Sequence, residues 1–181
     1  MRILFLMADG FEETEFVTPF DYFQRAGFGV ALASVSGNAD VVGAHNLSIR
    51  ADFSLKDGVS EEFDAILLPG GGPGVKNLKA SAEVEKVILD YNARNKKIFA
   101  ICAAPLVLSK AGILADRTVT CFPGCEGELV CKKFSEDRVV VDGNIVTSRG
   151  AGTAEEFAFE CIAQMGGREL SEKIRKQVVA R

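Results

Sequence analysis

The sequence predicts an α/β protein with a mainly parallel sheet covered by helices on both faces. Three observations predict it. Short apolar runs at residues 2–8, 30–35, 65–68 and 97–101 are continuous rather than alternating, as in strands buried on both faces. Helical patterns separate several of these runs, and alternation at this spacing argues for parallel pairing. An Asp142-Gly143-Asn144 turn between the apolar runs 138–141 and 145–148 adds a β-hairpin.

Residues 2–8 form the first strand. Asp9, Glu12, Glu13 and Glu15 follow at once, with no small-residue cleavage pattern, so a core strand is favoured over a signal peptide. Residues 13–26 place Phe16, Phe20 and Phe23 on one helical face. Pro19 lies inside that helix and cannot donate to the carbonyl of residue 15, which predicts a bend. Residues 44–55 alternate at Leu47, Ile49 and Phe53 and read as a hairpin or edge strand. Val84, Val87, Ile88 and Tyr91 pattern a helix over 82–92, and a short helix over 105–110 is closed by Gly112. A strand is expected at 119–122, and helices at 154–165 and 170–179.

The chain has 181 residues, 48% of them apolar and a quarter charged, which suits one compact domain over 1–181. Its net charge is -4 and it shows no basic stripe with interleaved aromatics, so no nucleic acid partner is expected. No apolar run reaches the ~18 residues needed to span a bilayer, so no membrane association is expected. Five cysteines without an export signal read as reduced thiols in a cytoplasmic protein.

In a parallel sheet, ligands bind beyond the carboxyl ends of the strands. Four segments should therefore meet at one rim: 8–15, 69–74, 102–105 and 147–153. Cys102 ends a strand and begins a helix, where N–H groups and the helix dipole favour thiolate, so a lowered pKa is expected. The Ala103 N–H can help hold an anion there, and Gly70, Gly71 and Gly72 allow close approach and offer a further N–H. The alternative is a buried, inert cysteine. Glu15 shares a helical face with Glu12 and Pro19 and can reach the sulfur. When ionised it would raise the thiol pKa, and when protonated it would donate to thiolate or sulfinate; the alternative is a helix-start glutamate.

His45 is the only histidine and lies away from the rim segments in sequence, so an exposed or interface role is favoured. Cys121, Cys125 and Cys131 lack the paired spacing and fourth ligand of a zinc site, and no metal is expected. Cys161 reads as core. The Gly70–Gly74 stretch lacks the endings of a P-loop or dinucleotide fingerprint, and no cofactor is expected. Arg149 and Thr153 beside a helix start suit either an anion or a structural role.

Taken together, Asp9-Gly10-Phe11-Glu12-Glu13-Thr14-Glu15 with Pro19, Leu68-Pro69-Gly70-Gly71, Lys76-Asn77-Leu78, Ala100-Ile101-Cys102-Ala103-Ala104-Pro105 and Thr147-Ser148-Arg149-Gly150-Ala151-Gly152-Thr153 are distinctive. In that order, over nearly the whole chain, the sequence resembles the DJ-one/ThiJ/PfpI superfamily, most closely its parkinsonism-associated deglycase/chaperone branch. The resemblance implies a flavodoxin-like sandwich and a homodimer. It implies that Cys102 is the reactive, readily oxidised cysteine, Glu15 its hydrogen-bond partner, and Gly71 and Ala103 the oxyanion pocket. Gly72, His45, Arg25 and Phe122 fall around the substrate or anion pocket. His45 stands where an arginine is often found, and Phe122 where some relatives carry a histidine.

Within that resemblance, local residues choose among activities. Ala103 directly after the cysteine disfavours a PfpI-type protease. The absence of histidine beyond position 45 disfavours a glutamine amidotransferase. A cofactor-independent glyoxalase or deglycase is left, acting on methylglyoxal or glycated groups through Cys102 and Glu15. The alternative is a non-enzymatic oxidative-stress sensor or chaperone that works by oxidation of Cys102.

Overall fold

The computed structural model describes residues 1–57, 59 and 61–180. Strand β1 (Arg2–Met7), helix α1 (Glu13–Arg25) and strand β2 (Gly29–Ser34) open the chain. An antiparallel hairpin of β3 (Asp40–Val42) and β4 (Ser48–Arg50) follows, then β5 (Phe53–Ser54) and β6 (Ala65–Leu68). Helices α2 (Gly72–Ala80) and α3 (Ala82–Ala93) lead to β7 (Lys97–Ile101) and the short α4 (Pro105–Lys110). Short strands β8 (Thr118–Val119) and β9 (Lys133–Phe134) precede the hairpin of β10 (Val139–Asp142) and β11 (Ile145–Ser148). Helices α5 (Ala154–Gly166) and α6 (Arg168–Gln177) complete the fold.

The main sheet has the order β10-β11-β7-β6-β1-β2-β5, parallel throughout except at the β10–β11 hairpin. From β1 the chain winds outward to β2 and β5. It then returns to β6 and winds the other way. That reversal between β1 and β6 opens a crevice at their carboxyl ends, the place where doubly wound sheets hold ligands.

The continuous apolar strands are explained by helices on both faces. In β1, Leu4 and Leu6 pack under α2, α3 and α4 with Val75, Leu78, Val84, Ile88 and Leu108. Ile3, Phe5 and Met7 point to the opposite face, under α1, α5 and α6 with Phe16, Phe23, Phe157 and Ile162. Phe5 meets Phe16 edge-to-face at 5.8 Å between ring centroids, the preferred aromatic geometry.

Two stretches differ from the sequence expectation, and a third combines its two alternatives. Residues 72–74 read as the end of a glycine-rich rim segment and 75–80 carry no assigned element, yet 72–80 form α2. Their helical state comes from Pro73 in the first turn and from burial of Val75 and Leu78, which outweigh the poor propensity of the glycines. The 44–55 stretch supplies both readings: β4 of the hairpin, then edge strand β5. The strand expected at 119–122 is limited to Thr118–Val119. Beyond it, the Thr120 N–H donates to the Thr147 side chain at 3.0 Å and the Phe122 N–H to the Cys102 carbonyl at 2.8 Å, so no ladder continues.

Candidate active site

The four rim segments do converge, and the glycines explain how. Gly10 has φ +86°, and a Cβ there would lie 2.4 Å from the Pro73 Cβ. Its N–H donates to the Val42 carbonyl at 2.7 Å, and its carbonyl accepts from the Gly74 N–H at 3.1 Å. Gly71 has φ +93°, and a Cβ there would meet the Gly10 carbonyl oxygen at 2.2 Å. The loops after β1 and β6 are thus pressed backbone to backbone, which fixes the start of α1 over the start of α2. Gly72, in contrast, has open space where a Cβ would project.

This clamp turns Glu15 inward. Its side chain is buried in the first turn of α1, and its Oε2 accepts the Gly70 N–H at 2.8 Å. Ala151, from the segment after β11, supplies a second backbone hydrogen bond to the carboxyl group, and Cys102 a side-chain one. Pro19 is buried on the same face of an otherwise continuous helix.

Cys102 sits at φ +66°, a left-handed conformation unusual for a residue with a side chain. Its N–H donates to the Ser148 carbonyl at 2.9 Å, and its carbonyl accepts the Phe122 N–H at 2.8 Å. These two bonds hold the strained turn and project the sulfur toward Glu15, where it is partly exposed. The Gly71 and Ala103 N–H groups donate to it.

The electrostatics correct one expectation. The strand-to-helix position predicts a lowered thiol pKa, but the thiol is pushed up to about 12. Burial is the main cause, followed by the charge of Glu15 and the hydrogen bond to it; the Gly71 and Ala103 N–H groups act in the opposite direction. Helix α4 begins at Pro105 with Ala104 as its N-cap, so Cys102 precedes the helix rather than starting it. Burial also pushes Glu15 up to about 7, against the hydrogen bonds from Cys102 and Gly70. The two acids cannot both be ionised near neutrality. They behave as a pair that releases its first proton near pH 7. Moving the remaining proton from sulfur to carboxyl yields a thiolate beside a neutral acid, with two N–H groups already facing the sulfur.

A stability prediction follows from the Glu15 shift. The folded state keeps its proton up to about pH 7, whereas the unfolded chain releases it near 4.5, the ordinary value for a glutamate. Stability from this group is therefore fully present below pH 4.5 and is lost as pH rises through 7, by ~3 kcal/mol. Glu15→Gln keeps an acceptor for the Gly70 N–H and cannot ionise. It should melt about 5–10 °C above the wild type at pH 8 and close to it at pH 4.5. Equal differences at the two pH values in thermal melts would refute the assignment.

The remaining candidate residues are placed as follows. Phe122 is 47% exposed. Its Cδ2 lies 3.2 Å from the Cβ position of Gly150, which is itself 3.8 Å from Glu15 Oε1. His45 is exposed at the hairpin; its N–H donates to Glu13 Oε1 at 2.5 Å and its Nδ1 lies 2.7 Å from Glu13 Oε2. That hydrogen bond, with the charges of Glu13 and Glu12, raises the His45 pKa. Glu12, Glu13 and His45 hold ligand atoms all within 4.8 Å of one another, but they already pair among themselves. Cys121, Cys125 and Cys131 form no such group among the described residues. Arg25 lies at the far end of α1 from Glu15 and pairs with Asp21 at 2.6 Å, so it does not join the site within this chain. Arg149 donates to the Glu136 carbonyl at 3.0 Å. Thr153 Oγ1 accepts the Gly150 N–H at 3.0 Å and lies 2.7 Å from Ser148 Oγ, so both residues shape the loop. Two glycines that the sequence places in the rim segments without a role of their own acquire one here: Gly10 locks the clamp, and Gly150 carries the Phe122 ring.

A doubly wound sheet with a strained cysteine at its switch-point rim, hydrogen-bonded to a buried glutamate, defines a class of cysteine-centred α/β proteins. The chain belongs to the DJ-1/PfpI family, whose model matches residues 1–164. It is 38% identical over 182 residues to the Parkinson disease protein 7 homolog of Danio rerio, covering 98% of this chain and 96% of that one. It is 29% identical to the glutathione-independent glyoxalase DJ-1 of Schizosaccharomyces pombe, covering 98% of each. The structure of oxidized Toxoplasma gondii DJ-1 superposes with a TM-score of 0.94 at 32% identity, covering 99% of this chain and 98% of that one. These matches carry the flavodoxin-like sandwich. Among the described residues, no helix is long and apolar enough to cross a membrane.

Proposed function

We propose that the chain is a single-domain, cytoplasmic, homodimeric enzyme that converts methylglyoxal to lactate without glutathione or any cofactor, with Cys102 as nucleophile and Glu15 as acid and base. The observation that carries this proposal is the buried Glu15 carboxyl hydrogen-bonded to Cys102, with the Gly71 and Ala103 N–H groups facing the sulfur. The name of the Schizosaccharomyces pombe relative supports the same activity.

The chemistry balances with these groups alone. Cys102 sulfur adds to the aldehyde carbon while its proton passes to Glu15. The developing oxyanion meets the Gly71 and Ala103 N–H groups and takes that proton from Glu15, giving a hemithioacetal and leaving Glu15 as the carboxylate. Glu15 then removes the proton from the former aldehyde carbon and returns it to the neighbouring carbonyl carbon, while the hemithioacetal hydroxyl proton passes to the oxygen of that neighbouring carbon. One carbon is oxidised as the other is reduced, so no external redox partner is needed. The resulting lactoyl thioester is hydrolysed by water to lactate and free thiol. A carboxyl titrating near neutrality is suited to proton transfer in both directions. Glycated thiols or amines present the same carbonyl-derived carbon, which extends the proposal to deglycase activity.

A second function rests on the same geometry. A peroxide-oxidised Cys102 sulfinate would accept from the same N–H groups and from protonated Glu15, as a redox sensor or redox-regulated chaperone requires. The oxidized Toxoplasma gondii relative favours keeping this alternative. The deciding experiment is lactate formation from methylglyoxal by wild-type protein in glutathione-free buffer. Turnover above a matched blank is expected, and none would leave the redox role alone.

A further inference from the structure

We infer that Phe122 selects the substituent on the carbonyl substrate, favouring apolar and aromatic 2-oxoaldehydes over polyhydroxylated, sugar-derived ones. This rests on Cys102 being the sulfur that adds to carbonyl carbon.

The ring is tied to the reacting residue. The Phe122 N–H donates to the Cys102 carbonyl at 2.8 Å, and the Phe122 carbonyl accepts the Cys125 N–H at 3.0 Å. Its backbone is thus held from both sides. The ring edge rests on Gly150, where a Cβ would lie 3.2 Å from Cδ2 and 3.6 Å from Cε2. The same point is 3.8 Å from Glu15 Oε1, so the ring and the carboxyl face one glycine. A larger residue at 150 would push the ring off the site.

The ring also lies open, with 47% of Phe122 exposed beside the buried Glu15 and the partly exposed Cys102. A large apolar face left in water is available to bind something apolar. A substituent on a carbonyl held at the sulfur meets this face and the partly exposed Ala103. Neither side chain offers a hydrogen bond. A sugar-derived chain placed there would give up water contacts without replacement. A methyl or aryl group gives up none, and an aryl group adds offset stacking.

Alkylation of Cys102 tests this without requiring turnover. Rate constants for N-phenyl-iodoacetamide and iodoacetamide would be measured by peptide mass spectrometry in wild type, Phe122→Leu and Phe122→Ala. Relative to the ratio for free glutathione, wild type should favour the aryl reagent about tenfold, the upper range for one aromatic contact. Phe122→Leu should show an intermediate ratio, and Phe122→Ala the free-thiol ratio. Equal ratios in all three proteins, a wild-type ratio equal to that of free thiol, or a Cys102 inert to both reagents would each overturn the inference. Lactate formation without aryl preference would sink only the role of Phe122. Aryl preference without lactate formation would sink only the glyoxalase activity.

Discussion

Cys102→Ser should reduce lactate formation from methylglyoxal by at least ~10³-fold while leaving the fold intact. Serine is close in size to cysteine and keeps the backbone bonds to Ser148 and Phe122, so melting should stay near that of the wild type. The loss is chemical. A hydroxyl nucleophile needs a strong base beside it, because its own pKa lies far above that of a thiol. Glu15 titrates at about 7 and is too weak for that task. The only histidine, His45, is exposed and paired with Glu13. The thiol, in contrast, can pass its proton to the carboxylate once the pair has lost its first proton. Wild-type kcat/KM should accordingly rise with pH through about 7, as the fully protonated pair gives way to the singly ionised one. Retention of more than a tenth of wild-type turnover in Cys102→Ser would rule out covalent catalysis at this sulfur. A profile flat between pH 5 and 8 would rule out control by the pair.

The rim was legible because each of its strands is a continuous apolar run with a sharp end, so the segments after β1, β6, β7 and β11 could be placed together from position alone. The hairpin at Asp142-Gly143 was equally plain, because that dipeptide has few other uses between two apolar runs. Helix α2 was hidden because Gly72, Pro73 and Gly74 look like a loop locally. Gly74 is there for packing, since a Cβ would lie 2.9 Å from the Phe11 nitrogen. The direction of the Cys102 shift was hidden for a related reason. A helix start is visible in sequence, whereas burial and the facing carboxylate exist only once Glu15 of α1 has been brought against Gly70 and Cys102. Helix propensity and dipoles act along the chain, and desolvation acts across it.

Gly70→Ala isolates that cross-chain contact. Gly70 carries no left-handed φ, so alanine suits its backbone and any effect must be steric. An added Cβ would lie 2.4 Å from Glu15 Oε2, 2.5 Å from Cys102 Cβ and 3.0 Å from Cys102 Sγ. Neither neighbour can easily retreat. Glu15 is buried in the first turn of α1, and Cys102 is pinned by its bonds to Ser148 and Phe122. The methyl group must therefore push carboxyl and sulfur apart or shift the strand end. Overpacking of this kind costs ~1–3 kcal/mol of stability, whereas misplacing a proton donor by about 1 Å costs ~10²-fold in rate. The expected result is a folded protein, melting several degrees lower, with turnover reduced about a hundredfold. Gly127→Ala is the matched control, because its Cβ would meet nothing within 4 Å, and it should change neither property. The pH profile gives the sharper readout. With the sulfur and the carboxyl separated, the rise of kcat/KM through about 7 should flatten, as no simple loss of folded protein would cause. Full activity with an unshifted profile in Gly70→Ala would mean that Glu15 and Cys102 do not work through direct contact.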